Sequence, residues 1–127
     1  MATARQLFAT AELTNPVLGA AIMLAAVTGC RRGELCGLRW GDVDAERLVL
    51  HVRRAVKQAA TGNGVVVGPT KTHRERRVSV DDVTLAVLAT HRARVEGWAA
   101  DAGVVLDPDG YLLTLDPTGA TPMSPNV

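Results

Sequence analysis

Aromatic side chains are scarce in this chain, where Phe, Trp and Tyr together make up 3% of 127 residues. Leu, Val, Ala and Met must therefore fill the interior, and cores of that composition are commonly helix-rich. Long apolar runs are missing too. The longest, residues 16–27, falls well short of the ~20 residues that span a bilayer, which argues against a membrane helix and against a membrane partner. Residues 1–12 lack the basic start, apolar middle and small-residue cleavage site of a secretory signal, so a cytoplasmic location is expected. There are two cysteines, Cys30 and Cys36, with no histidine at ligand spacing beside them. They cannot form a tetrahedral metal site alone, and no metal is expected. On one helix, six residues at ~1.5 Å rise would set them ~9 Å apart, beyond the ~7 Å limit of a disulfide. They read as reduced, packed thiols. Repeats and low-complexity tracts are absent as well.

What is present suits one domain with one core, since domains commonly run to ~100–150 residues. The net charge of +1 hides an uneven distribution. Between Arg53 and Arg77 stand seven cations (Arg53, Arg54, Lys57, Lys71, Arg74, Arg76, Arg77) against Glu75 alone. From Asp81 onward, seven carboxylates face only Arg92 and Arg94. A basic block beside an acidic one fits either a face oriented toward a polyanion such as DNA or a solvated hairpin surface.

Asn15 and Pro16 open a helix over residues 16–28, with Asn15 capping free amides and Pro16 supplying the first-turn φ. Its apolar residues Val17, Leu18, Ile22, Met23, Leu24 and Val27 surround the axis, which predicts burial on most sides. Gly29 is a natural stop. A second helix is expected over 31–40, with 42–44 as its exit turn. Leu48, Leu50 and Val52 then alternate with Val49 and His51 as in a strand. Two further strands are expected, one at 54–58 or 65–67 and one at 76–80, placing Lys71 in a hairpin connection. A long helix follows, capped by Ser79 or Asp81, with Leu88, His91, Val95, Trp98 and Ala102 on one stripe. His91 reads as a core histidine, and neither His51 nor His73 as catalytic. Ser124-Pro125 reads as an N-cap with a first-turn proline, a helix starting where the sequence stops, which suggests a truncated chain.

The segment TGCRRGELCGLRWGDVD, Thr28 to Asp44, puts Arg31 and Arg32 just past a helix stop and in the next helix's first turn. Cations are disfavoured there by the free amides. Either an anion such as phosphate sits there, suited to the planar fork of Arg, or Arg32 is exposed and Arg31 pairs with Glu34 at the surface for little gain. The same segment resembles the first arginine box of tyrosine recombinases, the phage integrase family. In that register Arg31 falls on the family's first catalytic arginine and Glu34 on the acidic residue that buttresses it. Leu35, Leu38, Trp40 and Asp42 fall on its scaffold. Gly68 to Val80, GPTKTHRERRVSV, is similar to the family's lysine-bearing β-hairpin, and Lys71 takes the catalytic lysine's place. Gly119, Pro122, Ser124 and Pro125 match the segment leading into the next family helix.

The resemblance implies an α+β fold, mostly helical with a small three-stranded antiparallel sheet. Residues 1–14 would be a linker remnant and 15–127 the front part of a catalytic domain. The implied chemistry is DNA strand exchange through a 3′-phosphotyrosyl intermediate, without metal or nucleotide cofactor. Arg31 would hold the scissile phosphate and Lys71 would protonate the leaving 5′-oxygen, with Arg32, Arg53, Arg54, Arg74 and Arg76 facing double-stranded DNA. Implied partners are that DNA and, for a complete protein, other recombinase protomers in a synaptic complex. In the family's order the His-x-x-Arg box, a further His or Trp and the nucleophilic tyrosine come after the residues matched here, and Tyr111 falls on a family strand instead. The chain alone is therefore expected to be inactive. An exposed apolar face left by missing segments would favour self-association. A non-catalytic DNA-binding module and a helix-turn-helix regulator with 31–40 as recognition helix are the alternatives; the latter leaves Lys71 without a task.

Overall fold

The computed structural model describes residues 16–60, 64–70 and 75–125. Asn15, Lys71, His73 and Arg74 lie outside them.

Helix α1, Pro16–Thr28, buries Val17, Gly19, Ala20 and Leu24. That spacing is a single stripe. Leu18 and Val27 are exposed, so the expectation of burial on most sides is corrected: α1 packs its stripe inward and leaves its other side open. Thr28 donates its hydroxyl to the Leu24 carbonyl at 2.6 Å, and Gly29 then ends the helix at φ +66°, a left-handed conformation that costs glycine little.

Helix α2, Arg32–Cys36, has five residues and stops at Gly37, well before residue 40. The backbone beyond it has other partners. Leu112 donates its amide to the Leu38 carbonyl and Trp40 donates to the Gly110 carbonyl, both at 3.0 Å, while Arg39 bridges Tyr111 in antiparallel fashion. Residues 38–40 thus pair laterally with 110–112, which a continuing helix would forbid. A short 3-10 turn, Trp40–Asp42, leads into β1, Val43–Asp44, where an exit turn was expected.

Strand β2, Val49–Val52, alternates half-buried and buried residues, with Leu50 and Val52 inward. Leu48 is not part of it, because its φ of +57° is incompatible with a strand. Strands β3, Ala55–Gln58, and β4, Val65–Gly68, pair with each other as a separate two-stranded sheet. Strand β5, Arg76–Ser79, pairs antiparallel with β2, setting His51 opposite Arg77 and Val52 opposite Arg76. The three-stranded sheet runs β1-β2-β5. Both alternatives for the uncertain strand, 54–58 and 65–67, are strands, and the third place in the sheet goes to Val43–Asp44.

Helix α3, Asp82–Ala102, is capped by Asp81, whose carboxylate accepts from the Thr84 amide at 2.8 Å and hydroxyl at 2.7 Å. It buries Thr84, Leu88, His91, Val95 and Ala99; Ala102, expected on the stripe, is exposed. The core joins α1, α2, the sheet and residues 111–113 around Leu24, Leu38, Leu50, Val52, Leu112 and Leu113. The architecture is α+β, helices around a small antiparallel sheet. No helix among the described residues is long and apolar enough to cross a membrane.

Candidate functional site

Arg31 is exposed and sits in extended backbone, φ −70° and ψ 154°, immediately before α2. Its amide donates to Glu34 Oε1 at 3.0 Å. Glu34 is buried, and its carboxylate is shared. The Arg76 guanidinium forks onto it, Nη1 to Oε2 at 2.6 Å and Nη2 to Oε1 at 2.8 Å, and Nη2 also approaches Cys30 Sγ at 3.5 Å. The Arg76 hydrogen bonds hold the Glu34 carboxyl below its usual range although burial pushes it up, and the same contact raises Arg76. The expected Glu34 buttress is therefore a backbone tie to Arg31, while its charge is matched by Arg76 across from β5. Arg76, expected to face DNA, has its guanidinium engaged in this bidentate pair.

A second buried carboxylate repeats the arrangement. Asp42 accepts from the Arg39 amide at 2.9 Å and from Arg54 Nη1 at 2.7 Å, with Arg53 Nε at 3.4 Å. Arg54 Nη1 also donates to the Gly37 carbonyl at 2.8 Å. Arg54 thus turns inward, against the expectation that it faces DNA, and locks the loop after β2 onto the end of α2. Arg53 keeps a half-exposed side chain.

The arginine turn presses closely on β3. A Cβ at Gly33 would stand 2.7 Å from the Val56 carbonyl oxygen, so only glycine permits this approach. Between the two lies a cleft of about 240 Å³ lined by Arg31, Gly33, Glu34, Ala55, Val56 and Lys57. With Glu34 neutralised by Arg76, Arg31 and Lys57 leave it positive. Because α2 is so short, the attraction for an anion comes from these side chains and scarcely from a helix dipole. Arg32 is exposed beside Arg31. On the neighbouring sheet face, His51, Arg53, Glu75, Arg76 and Arg77 line a second depression of about 340 Å³. Lys57 and Arg77 belong to the basic block of the sequence but were given no site role there. For Arg77 the signal was there: Val78 and Val80 pack toward the core, so strand alternation puts Arg76 on their face and Arg77 outside.

The remaining residues of interest are structural. His91 is buried and its Nε2 meets the Leu112 carbonyl at 2.6 Å. Tyr111 is buried, its hydroxyl accepts from Arg39 Nη2 at 3.0 Å, and the Arg39 guanidinium lies 4.8 Å from its ring centre. Cys30 and Cys36 are buried free thiols, and burial pushes Cys36 up.

The buried carboxylate behind an exposed arginine is the geometry implied by the arginine box, and the family comparison decides the matter: the model of the phage integrase family matches residues 2–102. This chain belongs to the phage integrase family, the tyrosine recombinases. It is 34% identical over 110 residues to a tyrosine recombinase XerC-like protein of Caldanaerobacter subterraneus subsp. tengcongensis, a match covering 78% of this chain and 28% of that protein. Among solved structures it resembles the Tn1549 transposon integrase in complex with a circular intermediate DNA, with TM-score 0.67, 24% identity, 97% of this chain and 39% of that one. It also resembles the XerA recombinase, with TM-score 0.61, 21% identity, 97% of this chain and 36% of that one. The likeness to solved structures is one of fold. The chain spans about a third of the length of these tyrosine recombinases.

Proposed function

We propose that this chain forms part of the catalytic domain of a site-specific DNA recombinase, with residues 1–14 as a linker and 15–127 as the domain's front part, and that it contributes a phosphate-binding half-site. The observation that carries this is the positive cleft in which Arg31 stands exposed on a turn held by buried Glu34. Arg31 holds non-bridging oxygens of the scissile phosphate and stabilises the charge that builds up in the transition state. Lys71, a compact ammonium, protonates the leaving 5′-oxygen. Arg32, Arg53 and Arg74 meet flanking phosphates of double-stranded DNA. No metal or nucleotide cofactor enters this scheme.

These 127 residues alone do not cleave DNA in this reading. Tyr111, the one tyrosine in the sequence, is buried with its hydroxyl bound to Arg39 and so is not placed to attack a phosphate, and the three His-x-x-Arg spacings present, at His51, His73 and His91, all precede the place that the family's box takes in its order. In a complete recombinase the protomers would meet in a synaptic complex in the cytoplasm. The chain by itself also self-associates through the open side of α1, where Leu18, Ala21, Ile22 and Ala25 line an apolar groove with Leu113 and Met123; a monomer mass independent of concentration would argue against this.

Titrating the chain with duplex DNA at rising salt tests the reading. Affinity should fall steeply, with little preference among sequences, because phosphates are the partners. Discrimination among bases would favour a helix-turn-helix regulator instead. In a complete recombinase carrying this segment, Lys71→Ala should reduce cleavage far more than DNA affinity; equal losses would remove Lys71 from the chemistry.

A further inference from the structure

Arg76 is the least expected member of the basic block, because it lies on the core-facing side of β5 and its fork closes on a carboxylate. We infer that Arg76 is a positioning residue which, acting through Glu34, sets the backbone of Arg31 and ties β5 to the arginine turn. This rests on the reading of Arg31 as a phosphate-binding residue.

Three contacts meet at one buried carboxylate. Glu34 Oε1 takes both the Arg31 amide at 3.0 Å and Arg76 Nη2 at 2.8 Å, while Oε2 takes Arg76 Nη1 at 2.6 Å. A two-point fork fixes the plane of the carboxylate as one ammonium cannot. With that plane fixed, Oε1 stays aimed at the Arg31 amide. A further contact, Arg76 Nη2 to Cys30 Sγ, touches the residue just before Arg31, so Arg76 grips the turn on both sides of it. Arg76 also begins the strand that follows residues 71–74, and Thr70 before them is buried. The strand that begins at Arg76 is therefore tied to the same carboxylate that orients Arg31.

A phosphate-contacting Arg76 and a positioning Arg76 respond oppositely to substitution. Arg76→Lys keeps the charge and a partner for buried Glu34, so the chain should fold, but it loses the fork. Glu34→Gln keeps an acceptor for the Arg31 amide and releases the Arg76 guanidinium. The probe is a short duplex DNA of arbitrary sequence, with binding to the full 127-residue chain read by fluorescence anisotropy. Thermal unfolding of each variant is followed in parallel.

Arg31→Ala should weaken binding about tenfold, the scale of one charge-assisted hydrogen bond. Arg76→Lys and Glu34→Gln should each weaken it severalfold, and neither should weaken it further in an Arg31→Ala background. That last result marks an effect routed through Arg31, which loss of general stability would not produce. Unchanged binding in Arg76→Lys with unchanged or tighter binding in Glu34→Gln would overturn the positioning role. So would losses that multiply with that of Arg31→Ala. If Arg31→Ala binds as wild type, the phosphate site itself fails and the positioning role fails with it, an outcome distinct from the other two.

Discussion

Buried carboxylates organise this molecule, and single substitutions read their weight. Asp42 has a side chain 4% exposed and is paired with Arg54 at 2.7 Å. Asp42→Asn leaves the Arg54 guanidinium half-buried without its counter-charge, and removing one partner of such a pair costs about 3 kcal/mol. Urea denaturation should show that loss; a change below about 0.5 kcal/mol would mean that solvent substitutes for the carboxylate. His91 gives the pH dependence. Burial lowers it from its ordinary value of 6.5, with the Leu112 carbonyl opposing and Arg94 adding to the shift. The folded state holds this ring neutral, so the unfolded chain takes up the proton first. Its stability contribution is full above about pH 6.5 and declines as pH falls below that, at no more than ~1.4 kcal/mol per pH unit. His91→Gln should flatten the stability profile between pH 6.5 and 5, and an unchanged slope would place the titration elsewhere. His91 was legible as a core residue because helical spacing puts it on the stripe with Leu88 and Val95. The inward turn of Arg54 was not, because a cation's partner across the fold leaves no trace in local pattern.

Among the elements, the contact between the arginine turn and β3 is the most constrained. Gly33→Ala sets a methyl group 2.7 Å from a backbone oxygen, and neither partner is a flexible side chain that can yield. The cost should be about 1–3 kcal/mol, with duplex binding falling as Arg31 is displaced; wild-type stability would mean that β3 moves freely. Helices α1 and α3 were readable from apolar period and caps, Pro16 at one start and Asp81 at the other. The end of α2 was not readable. It is set by lateral pairing of residues 38–40 with 110–112, some seventy positions away, and local propensity carries no record of that. The same holds for the sheet. Period-two alternation located β2 and turn signals placed β5, whereas the choice of Val43–Asp44 as third strand depends on the turn at Leu48, where a non-glycine residue takes a positive φ.

At the scale of the whole molecule, the fold brings one chemistry to one side. The arginine turn, β3 and β5 are distant in sequence, yet together they present Arg31, Lys57 and Arg77 around the cleft and the adjoining sheet face. The basic block visible in the sequence is thereby sorted into two groups. Arg54 and Arg76, with Arg53 more loosely, pair with buried carboxylates, and Lys57 and Arg77 stay exposed. The most direct test is to map duplex DNA onto the chain by backbone amide shifts in two-dimensional NMR, adding a short duplex of arbitrary sequence at low salt. The largest shifts should fall on residues 29–35, on β3 and on the outer face of β5, and should fade as salt rises. Shifts centred instead on the exposed side of α1 or on α3, or a map indifferent to salt, would contradict this placement of the polyanion site.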